Sequence, residues 1–214
     1  MKKNNYSLML SEGVVNAIDA AAARAGTNRS ALINQILAEY VSYVTPEMRA
    51  KEILSRVYES LGIAFRRESV GESAISLYSS LAYRYNPTVK YCLELYRDGQ
   101  NLGELRVSLR SKNPVLLQLF ARFCTLVAAL EQRAVGHVEC AAGEGRFVRV
   151  LCLRAEGSTF SMTHESVGEA AAAYIATFDK MMKSYFAYLP DEERAYEVMT
   201  GVYRAYLREA GHIL

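Results

Sequence analysis

Little in this sequence favours one sign of charge. Its 25 Lys and Arg residues face 23 Asp and Glu, for a net charge of +2. Bulk electrostatics therefore does not announce a polyanionic partner, and a basic surface must come from local placement or from doubling in an oligomer. Cysteine is scarce: Cys92, Cys124, Cys140 and Cys152 lie far apart with no CxxC pair. That excludes a disulfide framework and predicts reduced, mostly buried thiols in a cytoplasmic protein. Proline is scarce too, with four residues, and there is no low-complexity tract, which argues against a disordered chain. No apolar segment follows Met1-Lys2-Lys3-Asn4-Asn5, so no signal peptide is expected. No run of about 18 apolar residues is free of charge, so no membrane span is expected.

What is present suits a globular protein. The 214 residues are 51% hydrophobic, enough for a sizeable core in two modest domains or one small module joined to a larger one. Tyr6, Leu8 and Leu10 alternate with Asn5, Ser7 and Met9, the period of a short strand. Ser11 and Glu12 open a helix whose apolar positions are Val14, Val15, Ile18, Ala22 and Ala25, and Gly26 closes it. Asn28 caps a second helix with Leu32, Ile33, Ile36, Leu37 and Tyr40 on one face. Thr45-Pro46-Glu47 starts a third, predicted to run to about Leu61.

Residues 63–73 read as a loop. An antiparallel meander is expected next. Ile75, Leu77, Ser79, Leu81, Tyr83 and Tyr85 form a long first strand, Val89 to Leu95 a second, and Leu105 to Leu109 a third. Asn86-Pro87 and Asp98-Gly99 mark the turns, and Arg84, Lys90, Glu94, Arg106 and Arg110 line a wet face. Asn113-Pro114 opens a helix with Leu116, Leu119, Phe120, Phe123, Leu126, Val127 and Leu130 inward. Val135–Cys140 and Arg146–Leu153 read as a hairpin. Two helices, about 166–188 and 191–210, finish the chain.

The first 44 residues carry the functional signal. One short strand and two short helices bury too little to fold alone. A second copy solves this. The two strands pair antiparallel across a two-fold axis, and four helices close over one face of the ribbon. The expected dimer core is Tyr6, Leu8, Leu10, Val15, Ile18, Leu32, Ile33 and Ile36. Asn5, Ser7 and Met9 of both chains then form the outer face of a ribbon that fits the DNA major groove. There Asn can pair with adenine, Ser can donate or accept, and Met can meet a thymine methyl. The amides at the start of the second helix, near Asn28, Arg29 and Ser30, offer a phosphate site. Lys2, Lys3 and Arg29 add formal charge.

Residues 3–44 resemble the ribbon-helix-helix family, the MetJ/Arc type of β-ribbon reader. The strand Tyr6-Ser7-Leu8-Met9-Leu10, then Ser11-Glu12, then Gly26-Thr27-Asn28-Arg29-Ser30-Ala31-Leu32-Ile33 carry the resemblance. It implies that Asn5, Ser7 and Met9 occupy the three base-reading positions and that the amides near Asn28 and Arg29 form the phosphate clamp. Family ribbons commonly include an Arg or Lys among those three residues, and this one does not.

The expected fold is α+β: a ribbon-helix-helix dimerisation module over 1–44, then an α+β domain over 45–214. The expected function is sequence-specific binding of double-stranded DNA by a homodimer, most simply as a transcriptional repressor. The larger domain is expected to oligomerise, sense a small-molecule effector or bind a protein partner. An alternative keeps the module in an antitoxin-like or plasmid-maintenance adaptor that grips a protein partner. A third makes 45–214 a ligand-binding or enzymatic domain.

Blander readings accompany each motif. The ribbon could be a plain dimerisation arm, and Met9 could pack on a neighbouring dimer. His137 and Cys140, three apart on an expected strand, would face opposite ways and not share a metal. Gly143-Glu144-Gly145 reads as a hairpin turn and the meander tyrosines as packing. The run Glu169–Ala173 reads as close helix packing. No Ser-His-Asp, Cys-His or paired-carboxylate motif stands out, so no enzymatic activity, metal or cofactor is expected.

Overall fold

A computed structural model describes residues 7–41, 43–97, 101–143, 145–153 and 163–209. The chain divides into two compact units, 1–49 and 50–214.

The N-terminal unit is built on α1 (Glu12–Arg24) and α2 (Arg29–Tyr40). The turn between them is set by backbone chemistry. Gly26 takes a left-handed φ of 65°, which costs a residue with a side chain but not glycine. Its amide bonds to Ala23 O, and the Thr27 amide to Ala22 O at 3.0 Å, so the last carbonyls of α1 are satisfied. Ser11 precedes α1 but makes no side-chain cap; its carbonyl accepts from Val15 N instead. The cap of α2 is made as expected, with Asn28 Oδ1 accepting from Ala31 N at 2.9 Å. Ser7–Leu10 has no secondary structure in the single chain. Asn5 and Tyr6, the rest of the expected strand, lie outside the described residues.

α3 (Pro46–Leu61) begins where Thr45 Oγ1 accepts from Met48 N at 3.1 Å, and the boundary between units falls within this helix. In the C-terminal unit, β1 (Arg66–Val70), β2 (Ala74–Ser80), β3 (Thr88–Leu95), β4 (Asn101–Arg110), β5 (Cys140–Gly143) and β6 (Arg146–Cys152) form one sheet. Its order is β1-β2-β3-β4-β6-β5, with every pair antiparallel. α4 (Pro114–Val135), α5 (His164–Tyr188) and α6 (Glu192–Glu209) complete the unit. The class is thus α+β with an antiparallel sheet.

Alternation explains the core. Leu77, Tyr91, Val107 and Phe147 stand in one cross-strand row, all buried. Phe178 of α5 lies over this row, stacked on Phe147 at 5.1 Å and edge-to-face with Phe123 of α4 at 5.5 Å. α3 crosses α5 closely at Gly168, where a Cβ would come within 2.7 Å of Arg56 Cβ and 2.9 Å of the Ile53 carbonyl. Among the described helices, α4 is long and apolar enough to cross a membrane. Its Leu116, Phe120, Phe123, Val127 and Leu130 are instead buried in the core.

Four expectations for this unit need correction. Residues 66–70 are a strand rather than loop. β1 is an edge strand exposed along its whole length, so it shows no apolar alternation, and only backbone pairing reveals it. The first meander strand stops at Ser80: Tyr85 and Asn86 take positive φ values of 68° and 46°, which breaks the ladder, so Tyr83, Arg84 and Tyr85 belong to the turn. Val135 belongs to α4, which ends at Gly136, and the hairpin strand is Cys140–Gly143. His137 therefore precedes the strand, and the opposite-face argument does not apply to it.

Charges enter the core only as a network. Arg149 Nε donates to Glu131 Oε2 at 2.7 Å, with both side chains almost wholly buried. Tyr174 Oη donates to Glu131 Oε1 at 2.6 Å, and Arg149 also donates to the Val150 carbonyl. Burial, reinforced by Glu131, holds the Tyr174 phenol well above its ordinary range. A second network joins β2, β3 and α5. Tyr91 Oη donates to Asp179 Oδ1 at 2.9 Å, and Lys183 Nζ donates to Ser79 Oγ at 2.8 Å while pairing with Asp179 at 2.6 Å.

Candidate nucleic-acid interface

The N-terminal unit contains the residues picked out from the sequence. Lys2, Lys3, Asn5 and Tyr6 lie outside the described residues. Ser7 and Met9 are exposed, Met9 wholly so. The expected dimer core is only partly covered in the single chain. Val15, Ile18, Leu32 and Ile33 are half-buried, while Leu8 is 61%, Leu10 42% and Ile36 46% exposed. Within this unit, Ala22 and Ala38 are the buried apolar residues among those described.

The uncovered apolar surface runs beyond the residues expected in the dimer core. Leu37 and Tyr40 are exposed on α2, and Val41, Tyr43 and Val44 are exposed beyond it. The signal for the last three was the apolar run between the two helices, which cap patterns do not register.

Asn28, Arg29 and Ser30 stand exposed at the N-terminus of α2. The Asn28 cap takes the Ala31 amide. Those of Arg29 and Ser30 fall in the first turn, where a helix has no carbonyl to offer them and the positive end of its dipole lies.

Arg29 is already engaged. Its guanidinium grips Asp19 of α1 in a two-pronged pair, Nε to Oδ1 at 2.6 Å and Nη2 to Oδ2. The hydrogen bond from Arg29 holds the Asp19 carboxyl below the ordinary aspartate range, and Asp19 raises Arg29 in turn. Both side chains are about half exposed. The pair spans the turn between the helices, fixing the arginine at the end where the amides emerge. A phosphate there would compete with Asp19 for the same donors.

In the C-terminal unit, an open depression of about 300 Å³ is lined by Ile63, Arg66, Tyr78, Ser79 and Thr88 among others. No group of three or more His, Cys, Asp or Glu side chains gathers as a metal site among the described residues. No protein-family model, curated protein or solved structure matches this chain.

Proposed function

We propose that the chain is a sequence-specific DNA-binding regulator, acting as a homodimer through a ribbon-helix-helix module at its N-terminus. One observation carries the reading: the N-terminal unit has helices, caps and a tight turn but almost no core of its own. Leu8, Leu10, Ile36 and Leu37 are left about half exposed, and burying the remainder of each side chain would contribute about 1 kcal/mol, half the value for full burial. Units below about 70 residues rarely build a sufficient core alone and commonly add metals, disulfides or a partner copy. Pairing Ser7–Leu10 with its own copy would cover these side chains and leave Ser7 and Met9 outward.

In this reading Asn5, Ser7 and Met9 face the bases, while the first-turn amides of α2, with Arg29, Lys2 and Lys3, hold phosphates. The test is genomic footprinting with the intact protein beside Ser7→Ala and Arg29→Ala. Ser7→Ala should change which sites are preferred, and Arg29→Ala should weaken all sites evenly. Footprints identical to the parent's in both variants would overturn the assignment. An unrelated chain co-purifying in fixed stoichiometry, with no footprint, would favour the adaptor instead.

A further inference from the structure

All four helices of the C-terminal unit contribute to a core on one face of its sheet. The side chains of the opposite face are distributed unevenly along the strands. One cross-strand row reads Arg66, Tyr78, Lys90, Ser108 and Arg146, on β1, β2, β3, β4 and β6 in turn. The neighbouring row at the same end holds Ser80, Thr88 and Arg110. The guanidiniums of Arg66 and Arg110 lie 5.8 and 5.2 Å from the centre of the Tyr78 ring, and Lys90 Nζ lies 5.7 Å from it. Glu68 is the carboxylate beside them, and it is committed to Tyr78 Oη and to Lys90 at 2.6 Å. Arg66, Arg110 and Arg146 make no ion pair with a carboxylate among the described residues. Among the described residues of these two rows and Glu68, four cations stand against one anion.

The opposite end of the same face carries one cation against two anions. Arg106 is taken up by Glu104 at 2.5 Å and Glu94 at 2.6 Å. The chain's near-zero net charge therefore conceals a local segregation of sign.

We propose that this row is a second, sequence-independent contact for the DNA phosphodiester backbone. The proposal rests on the reading of the chain as a DNA binder. Shape decides the kind of anion. Five strands spaced about 4.8 Å apart spread the row over roughly 19 Å, with Arg66, Lys90 and Arg146 about 10 Å from one another in sequence along it. A compact phosphomonoester would need donors converging on one point. Arg66, Lys90 and Arg110 gather round Tyr78, and Arg146 stands two strands beyond Lys90, about 10 Å further along the row; charge spread beyond one centre suits a chain of phosphates, whose oxygens guanidiniums bind in pairs. Tyr78 is 9% exposed, so its ring supports the cations rather than offering a stacking platform for bases.

The experiment measures the affinity of the intact protein for its preferred duplex and for random duplex DNA, across a salt series. Two triple variants accompany it, with Arg66, Arg110 and Arg146 all changed to Ala or all to Lys. Thermal melting checks that both fold. The Ala variant should flatten the plot of log affinity against log salt by about 0.9 for each phosphate it no longer neutralises, close to 3 for one patch, with site preference unchanged. The Lys variant should keep the parent's slope. An unchanged slope in the Ala variant overturns the patch while leaving the ribbon reading intact, whether or not anionic phosphatidylglycerol vesicles prove to bind there. No preferred site, but a slope that still falls, sustains the patch and sinks the ribbon reading. No binding to any duplex overturns both.

Discussion

The two units use similar helices to different ends. In the C-terminal unit, α5 alone buries Val167, Tyr174, Ile175, Phe178, Met181, Met182, Tyr185 and Phe186. In the N-terminal unit, α1 buries Ala22 and α2 buries Ala38. The local signals are at least as good in the smaller unit, which has an Asn cap, a glycine closure and a two-pronged ion pair across the turn. Such signals fix where helices begin and end. They do not supply the apolar burial that offsets the entropy of ordering the chain. In the proposed dimer, this difference assigns the partner surface to the unit whose elements are well formed and whose apolar side chains are uncovered.

If that contrast is right, the larger unit should answer to its interior and be indifferent to protein concentration. The strongest test is Glu131→Ala. It leaves the buried Arg149 guanidinium without its carboxylate and Tyr174 without an acceptor. Removing one partner of a buried pair costs about 3–5 kcal/mol. Denaturant unfolding followed on the sheet should show this loss equally at low and high protein concentration. A loss under about 1 kcal/mol, or one that grows on dilution, would break the comparison from the side of the larger unit.

The smaller unit should behave in the opposite way. Ile36→Ala deletes a side chain that is 46% exposed in the single chain, so a monomer should lose little. In the proposed dimer the same side chain is interior, and each truncated copy should cost about 2 kcal/mol. That weakens dimerisation roughly 30-fold per copy, at about 1.4 kcal/mol per tenfold. Sedimentation equilibrium measures it, and the melting of the C-terminal sheet should not move. If Ile36→Ala leaves the association constant unchanged, Ile36 is not in an interface and the uncovered surface must be explained otherwise.

What could be read from the sequence follows the same division between local and non-local causes. Thr45-Pro46 and Asn113-Pro114 marked helix starts because a cap is chemistry among neighbours, and both caps form. The alternation of β3 and β4 was visible because one face of each is buried. β1 was not, since an edge strand with both faces exposed has no period to detect. Tyr83 and Tyr85 kept the alternation of β2 past its end because side-chain pattern does not register backbone φ. The Arg149–Glu131 pair was hidden because nothing near either residue reveals a partner 18 positions away. At the candidate site, Asn28 was legible as a cap, while the hold of Asp19 on Arg29 depends on the turn that brings positions 19 and 29 together.

That ion pair yields the smallest expected effect and the finest test of how the smaller unit is organised. Asp19 titrates below the 3.8 ordinary for an aspartate because Arg29 donates to its ionised form. The sign follows from linkage. A carboxyl with a depressed folded value contributes stability above its unfolded value, and that contribution is lost as pH falls through the folded value. The pair is thus fully formed at neutral pH and should disappear only under acid, below about pH 4. Carboxyl NMR of Asp19 should show a midpoint below 3.8, returning to the ordinary value in Arg29→Ala. Because both groups are exposed, the stability change should stay within the small range of surface pairs and shrink with salt. Adding duplex DNA sharpens the comparison. If phosphate draws the guanidinium away from Asp19, the carboxyl midpoint rises towards 3.8 in the complex. A midpoint that stays depressed with DNA bound would mean that Arg29 orders the turn between the helices and leaves the phosphates to the amides beside it.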